Sequence, residues 1–160
     1  IKFNLRKGIL LLQKEIHYHL LILFMKNLSK FKIAVKTREY LVQAIYQMLF
    51  NKQKVSMIIK QFKNEHETKK VDFMMFSSSL KSIEKNKKEI EEILTSLEIK
   101  DTSLELIDKS ILYFAINEML YGDLDKPVAL DESLRLSKKF SSPDSYKFIN
   151  ASLDKFLKII

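Results

Sequence analysis

The chain has no cysteine, and only two glycines and two prolines in 160 residues. Without cysteine there is no disulfide framework, no thiolate metal site and no cysteine nucleophile. The two glycines, Gly8 and Gly122, stand far apart. That excludes the phosphate loops GxxxxGK and GxGxxG, which need neighbouring glycines so that the backbone can approach a phosphate. No uninterrupted apolar run reaches the roughly 18 residues of a spanning helix, so no membrane-spanning helix is expected. So few chain breakers predict a chain that is almost all helix.

What is present is an apolar fraction of 46%, enough for the core of one domain, and 30% charged residues. Lys and Arg outnumber Asp and Glu by 28 to 20, a net charge of +8. That excess predicts an anionic partner, a description that RNA, DNA, an acidic protein and an anionic membrane all meet.

Residues 1–24, IKFNLRKGILLLQKEIHYHLLILF, read differently from the rest. Their apolar runs are too short, and small residues too few, for a secretory signal. His17 and His19 suggest a metal pair, but residues two apart on a helix point away from each other and no third ligand is evident. No metal and no cofactor are therefore expected. Met25 is a natural start. Residues 1–24 are expected to be a non-core extension, either upstream sequence read in frame or an added segment, and residues 25–160 to be the functional domain.

From Met25 to Arg38 the chain carries Lys26, Lys30, Lys32, Lys36 and Arg38 and no acid. This is either a basic arm or an ordinary solvated N-terminus. Amphipathic spacing then predicts a series of helices. The first covers about 37–51, with Leu41, Ala44, Ile45, Met48 and Leu49 on one stripe. The second covers 55–63, and a polar loop carries an exposed, solvated His66. A single long third helix over 71–94 has Phe73, Phe76, Leu80, Ile83, Ile90 and Leu94 inward. The fourth is expected to be capped by Thr102 or Ser103 and to bury Leu104, Ile107, Ile111, Phe114, Ala115 and Met119. Glu118 falls on that stripe. It is a catalytic acid or, more in keeping with the absence of a second carboxylate or histidine at reactive spacing, a structural acid capping a neighbouring helix. Gly122 ends that helix. The fifth, 128–140, enters through Pro127 and points Val128, Leu130 and Leu134 inward, with Leu136 or Phe140. Ser141-Ser142-Pro143-Asp144-Ser145 announces the last helix. In its first turn Tyr146, Lys147 and Phe148 place rings and a cation beside free N–H groups. That suits stacking on a base and holding a phosphate, with core packing of Phe148 as the competing reading.

The second half resembles the NusB family of transcription antitermination factors. Val128-Ala129-Leu130-Asp131-Glu132 is similar to the family's V-A-I-N-E. Leu136-Ser137-Lys138-Lys139-Phe140 is similar to L-A-K-x-F, and Asp144-Ser145-Tyr146-Lys147-Phe148-Ile149-Asn150 to D-S-x-K-F-V-N. Arg38 to Tyr46 resembles R-x-x-A-V-Q-A-L-Y. The likeness spans about 36–157 in consistent order. It implies an all-α, NusB-like bundle of about six to seven helices in two packed helical subdomains. It also implies a cytoplasmic, non-enzymatic protein that binds the boxA element of ribosomal RNA leaders together with NusE, a small-subunit ribosomal protein, within the RNA polymerase antitermination complex. By position, Lys30, Lys32, Lys36, Arg38, Asp144, Lys147 and Phe148 would face RNA, and Tyr46, Phe50 and Asp108 would face NusE. NusB-like proteins occur as monomers and as homodimers, so both states are open.

The family's usual Arg of L-R-x-A is Tyr113 here, its Asn of V-A-I-N-E is Asp131, and its Gly after Asn150 is Ala151. These departures bear on the strength of RNA binding rather than on the fold. Fewer arginines mean fewer bidentate phosphate contacts, although lysines still neutralise charge. Two alternatives stand beside this reading. One is the related domain of ribosomal-RNA cytosine methyltransferases, which the missing Gly-rich loop and cysteine disfavour. The other is a helical protein-interaction module that binds no RNA.

Overall fold

The computed structural model describes residues 2–99 and 104–160, with side chains from residue 12 onward except residue 14. Seven helices and no strands appear among them: α1 Lys2–Asn51, α2 Val55–Glu65, α3 Phe73–Lys85, α4 Lys87–Ser96, α5 Leu106–Tyr121, α6 Lys126–Phe140 and α7 Ser145–Leu157. No helix among the described residues is long and apolar enough to cross a membrane.

Helices α1, α2 and α3 pack on one another, as do α5, α6 and α7. The two groups meet where α5 lies against α1 and α3. The expected inward stripe of α1 holds: Leu41, Ala44 and Ile45 are fully buried. The expected arm before it is instead helix, continuous with that stripe. No proline or glycine interrupts residues 9–51, and Leu, Met and Lys propagate a helix at little cost. The helix stops where Lys52 adopts a left-handed φ of 51°. Gln47 ties the turn by donating to Gln53 at 2.7 Å and Gln61 at 2.8 Å.

The expected single third helix is two helices end to end, separated at Asn86. The Asn86 side chain donates to Ser82 Oγ at 3.3 Å, a local bond of the kind that competes with regular helix geometry. Phe73, Phe76, Leu80, Ile83, Ile90 and Leu94 nonetheless stay buried across the break. Thr37 anchors α3 to α1, since its buried Oγ1 accepts from Asp72 N–H at 2.9 Å and donates to the Ile33 carbonyl at 2.7 Å.

Helix α5 is the centre of the molecule. It begins at Leu106, with Glu105 at its cap; Thr102 and Ser103 lie outside the described residues. The expected stripe is too narrow a description, because every residue from Ser110 to Met119 is buried. A helix covered on all sides must satisfy its polar groups internally. Ser110 Oγ donates to the Leu106 carbonyl at 2.7 Å, and Asn117 Oδ1 accepts from Ser82 Oγ at 2.8 Å. Glu118 is a structural acid, accepting the Leu124 N–H at 3.2 Å in the turn that leads to α6. A Cβ at Gly122 would lie 2.2 Å from that carboxylate, so a larger residue there would have to displace the Glu118 side chain.

The expected stripe of α6 holds in part: Leu136 is fully buried and Leu130, Leu134 and Phe140 pack half-buried against the core, whereas Val128 is exposed. Ala129, Glu132, Ser133 and Ser137 are buried as well. Ser133 loses no hydrogen bond on burial because its Oγ donates to the Ala129 carbonyl at 2.7 Å. In α7 the inward residues are Ile149, Ser152, Leu153 and Phe156.

Candidate nucleic-acid interface

The junction of α1 with α6 is built on two acids that the sequence places far apart. Glu39, 5% exposed, receives Lys139 at 2.8 Å, Arg135 at 3.0 Å and Lys36 at 3.6 Å. Glu132 receives Arg38 at 3.2 Å and Arg135 at 3.1 Å. Burial by itself would push the Glu39 carboxyl up, but hydrogen bonds and charge from Lys139 and Arg135 outweigh it and hold the group below its ordinary value. Burial would likewise weaken the charged form of Arg135, and its bonds to Glu132 and Glu39 overcome that. Four cations meet two carboxylates here, so the junction keeps positive charge at its surface.

Arg38 is the floor of this junction. Its side chain is 11% exposed and engaged by Glu132, so it does not offer a free guanidinium fork. Lys30 and Lys32 are exposed on the helical stretch of α1 before the junction. Lys36 lies over the Tyr40 ring at 4.8 Å.

The positive surface continues onto α7. Lys138 stands 4.9 Å from the centre of the Tyr146 ring and Lys147 stands 6.0 Å from it, so two ammonium groups approach this ring. Asp144 pairs with Lys147 at 2.9 Å, and both remain exposed. Lysines 36 and 139 therefore lie where α6 meets α1, and lysines 138 and 147 lie beside an aromatic ring where α6 meets α7. Sequence reasoning did not assign Arg135, Lys138 or Lys139 to a site. The available signal was the Lys-Lys pair in the last turn of α6, where basic side chains complement the helix dipole.

The residues expected to face a protein divide between two places. Tyr46 and Phe50 stack at 6.0 Å on α1, 38% and 66% exposed, beside a cleft of about 560 Å³. His66 lines the same cleft and is not the freely solvated side chain expected. It stacks on Tyr40 at 4.0 Å and lies 5.5 Å from Phe62, because the end of α2 returns the chain to α1. Asp108 is 5% exposed in the first turn of α5 and lines a separate cleft of about 470 Å³. Phe148 lines that cleft too and is 39% exposed, so it is not core. Tyr113 is buried, donates its hydroxyl to the Glu91 carboxylate and shares that acid with Lys109, whose Nζ is 3.0 Å away. On the extension, His17 and His19 are exposed, and His19 Nδ1 is bound to the Glu15 carbonyl at 2.9 Å.

These features define an all-α protein with lysines clustered where α6 meets α1 and α7. The sequence pattern of the NusB family matches residues 35–158, and the chain belongs to that family. Three similar relatives are each named transcription antitermination protein NusB. That of Tolumonas auensis is 37% identical over 125 residues, covering 77% of this chain and 91% of its own length. That of Buchnera aphidicola is 35% identical over 130 residues, covering 79% and 90%. That of Clostridium novyi is 34% identical over 130 residues, covering 77% and 96%. In structure the chain is similar to T. maritima NusB, with a TM-score of 0.65 at 20% identity, covering 78% of this chain and 89% of that one.

Proposed function

We propose that the protein is a transcription antitermination factor that binds boxA RNA of ribosomal RNA leaders together with NusE and helps RNA polymerase pass terminators. It acts by binding, without catalysis, in the cytoplasm where transcription runs. The observation that carries this reading is the lysine-lined junction of α1, α6 and α7 in a chain of the NusB family. Lys30, Lys32, Lys36 and Lys147, joined by Lys138 and Lys139, attract phosphates. Tyr146 and the exposed part of Phe148 stack bases. Asp144 holds Lys147 in place, and Arg38 supports the surface from below. Tyr46, Phe50 and Asp108 face NusE. The working unit is residues 25–160, and residues 1–24 contribute nothing to it.

Fluorescence anisotropy of a labelled boxA-type RNA with the full chain, with and without NusE, at two salt concentrations tests this. The expected result is salt-sensitive binding that NusE tightens. Lys138→Glu with Lys147→Glu should weaken it and reduce the slope of log affinity against log salt by about one for each phosphate no longer neutralised. Affinity independent of salt, or unchanged in that variant with its circular dichroism intact, sinks the reading.

A further inference from the structure

The cations at the α1–α6 junction are not held equally firmly. Glu39 is buried and takes three of them: Lys139 at 2.8 Å, Arg135 at 3.0 Å and Lys36 at 3.6 Å. Arg135 is fixed twice more. Its Nε and Nη2 donate to the two oxygens of Glu132 at 3.1 Å and 3.2 Å, a two-point grip that a planar guanidinium makes and an ammonium does not. Lys36 and Lys139 each reach one carboxylate among the described residues, that of Glu39. Their side chains are 46% and 47% exposed, so water takes up their other donors. Such pairs are weak, because solvent screens the charges and holding a long flexible side chain in one place costs entropy. The junction therefore has a covered carboxylate, an arginine locked beside it and two lysines loosely held on the outside.

We infer that Glu39 is a built-in counter-ion that RNA phosphates displace: on binding, Lys36 and Lys139 turn from its carboxylate to the RNA backbone, and Arg135 stays behind. A phosphate offers an ammonium the same kind of charged oxygen acceptor, so the exchange breaks two ion pairs and forms two, and no proton moves. Arg135 is what makes the exchange feasible. A buried carboxylate stripped of every cation would be very costly, and Arg135 keeps Glu39 paired after the lysines have left. Glu39 does not touch RNA in this scheme. It is a positioning residue, which gathers lysines from α1 and α6 in the free protein and lowers the affinity by the free energy of the pairs that must break. The inference rests on the RNA binding proposed above and concerns its phosphate contacts, whatever the base sequence.

The test is fluorescence anisotropy of the full chain with a labelled boxA-type RNA and with a labelled oligouridylate of equal length, each over a range of salt at neutral pH. Glu39→Gln keeps the shape of the side chain and an oxygen acceptor. It should tighten both RNAs about three- to tenfold at fixed salt and leave the salt slope unchanged, because the same phosphates are neutralised. Lys139→Met should lower that slope by about one, and should weaken binding more in the Glu39→Gln background than in the wild type. Glu92→Gln makes the same change of charge and frees Lys88 on α4, a helix that packs on α3 and α5, and it should leave the affinity where it was. A second readout needs no variant, so it holds even if Glu39→Gln does not fold. With carbon-13 in the glutamate carboxyls, the oligouridylate should shift the Glu39 resonance and leave that of Glu132, which keeps both its arginines. Unchanged or weaker binding by Glu39→Gln, equal tightening by Glu92→Gln, or an unmoved Glu39 resonance at saturation overturns the inference. A slope steeper by about one or more in Glu39→Gln overturns it too, since the lysines would then be withheld from RNA rather than exchanged. Equal affinity for the two RNAs with the Glu39 effects intact would strike the antitermination reading and leave this one standing.

Discussion

Helix α1 is one unbroken helix whose two halves live in different surroundings. In the second half Leu41, Ala44, Ile45 and Met48 are no more than 6% exposed. In the first half Leu12, Ile16, Leu20 and Leu23 recur at the same three- and four-residue spacing and are 56% to 60% exposed. The apolar period is shared, but only the second half has α2, α3 and α5 folded against it. Spacing therefore tells which side of a helix is apolar, and the rest of the chain decides whether that side is covered. Burial sets in at Ile33 to Thr37, and the family's pattern begins to match at residue 35.

The comparison breaks if the two halves respond alike to truncation of an apolar side chain. Leu41→Ala should cost about 4 kcal/mol in urea denaturation, while Leu23→Ala should stay within about 0.5 kcal/mol. Equal losses would mean that the first half is covered in solution. Next in size is the ion pair that holds the second half to α6. Arg38→Met leaves Glu132 to Arg135 alone and should cost about 2 kcal/mol, part of it recovered when Glu132→Gln is added. If the double variant is no better than the single one, Arg38 is not paired as described.

Smaller again is Gly122→Ala. The added Cβ must displace the Glu118 carboxylate from the Leu124 N–H, for a loss of about 1 to 2 kcal/mol. In Glu118→Gln the same change at Gly122 should cost less, which a double-mutant cycle would read. The pH dependence sharpens the picture of the α1–α6 junction. The carboxyl of Glu39 is held below its reference value of 4.5 in the folded protein, so its contribution is complete above that pH. It disappears as the pH falls through the lower, folded value. Glu39→Gln should flatten the acid limb of thermal stability measured between pH 6 and pH 3 (roughly the carboxylate range). An unchanged limb would show that Glu39 is not paired. The smallest effect expected is for removal of residues 1–24, which should leave the denaturation midpoint where it was.

Much of the architecture was readable in the residues. Val55–Glu65 forms a helix where one was expected, two residues longer, because Ile58, Ile59 and Phe62 leave little choice of face. The stripe from Phe73 to Leu94 was right in every member although Asn86 divides it, since burial follows period and the division turns on one local side-chain bond. The inward face of α6 was only partly legible. Leu130, Leu134 and Leu136 pack against the core as expected, but Val128 is exposed and the small residues Ala129, Ser133 and Ser137 are buried, because hydrophobicity alone does not tell which small side chains the neighbouring elements cover. The same holds at the candidate interface. Lys36 and Lys147 stood out by their neighbours in the chain, but Lys139 and Arg135 become part of a site only by meeting Glu39, which lies 96 residues from Arg135.

What the sequence determined by itself was the helical class, the order of the helices and the lysine excess, because these depend on few chain breakers, on local period and on composition. The tertiary structure alone decided that Arg38 is largely covered and paired with Glu132, that α5 is covered on every side, and that Asp108 and Phe148 line one cleft. Each of those facts is a meeting of side chains distant in sequence. Such meetings follow from how whole helices pack, which no local pattern of residues contains.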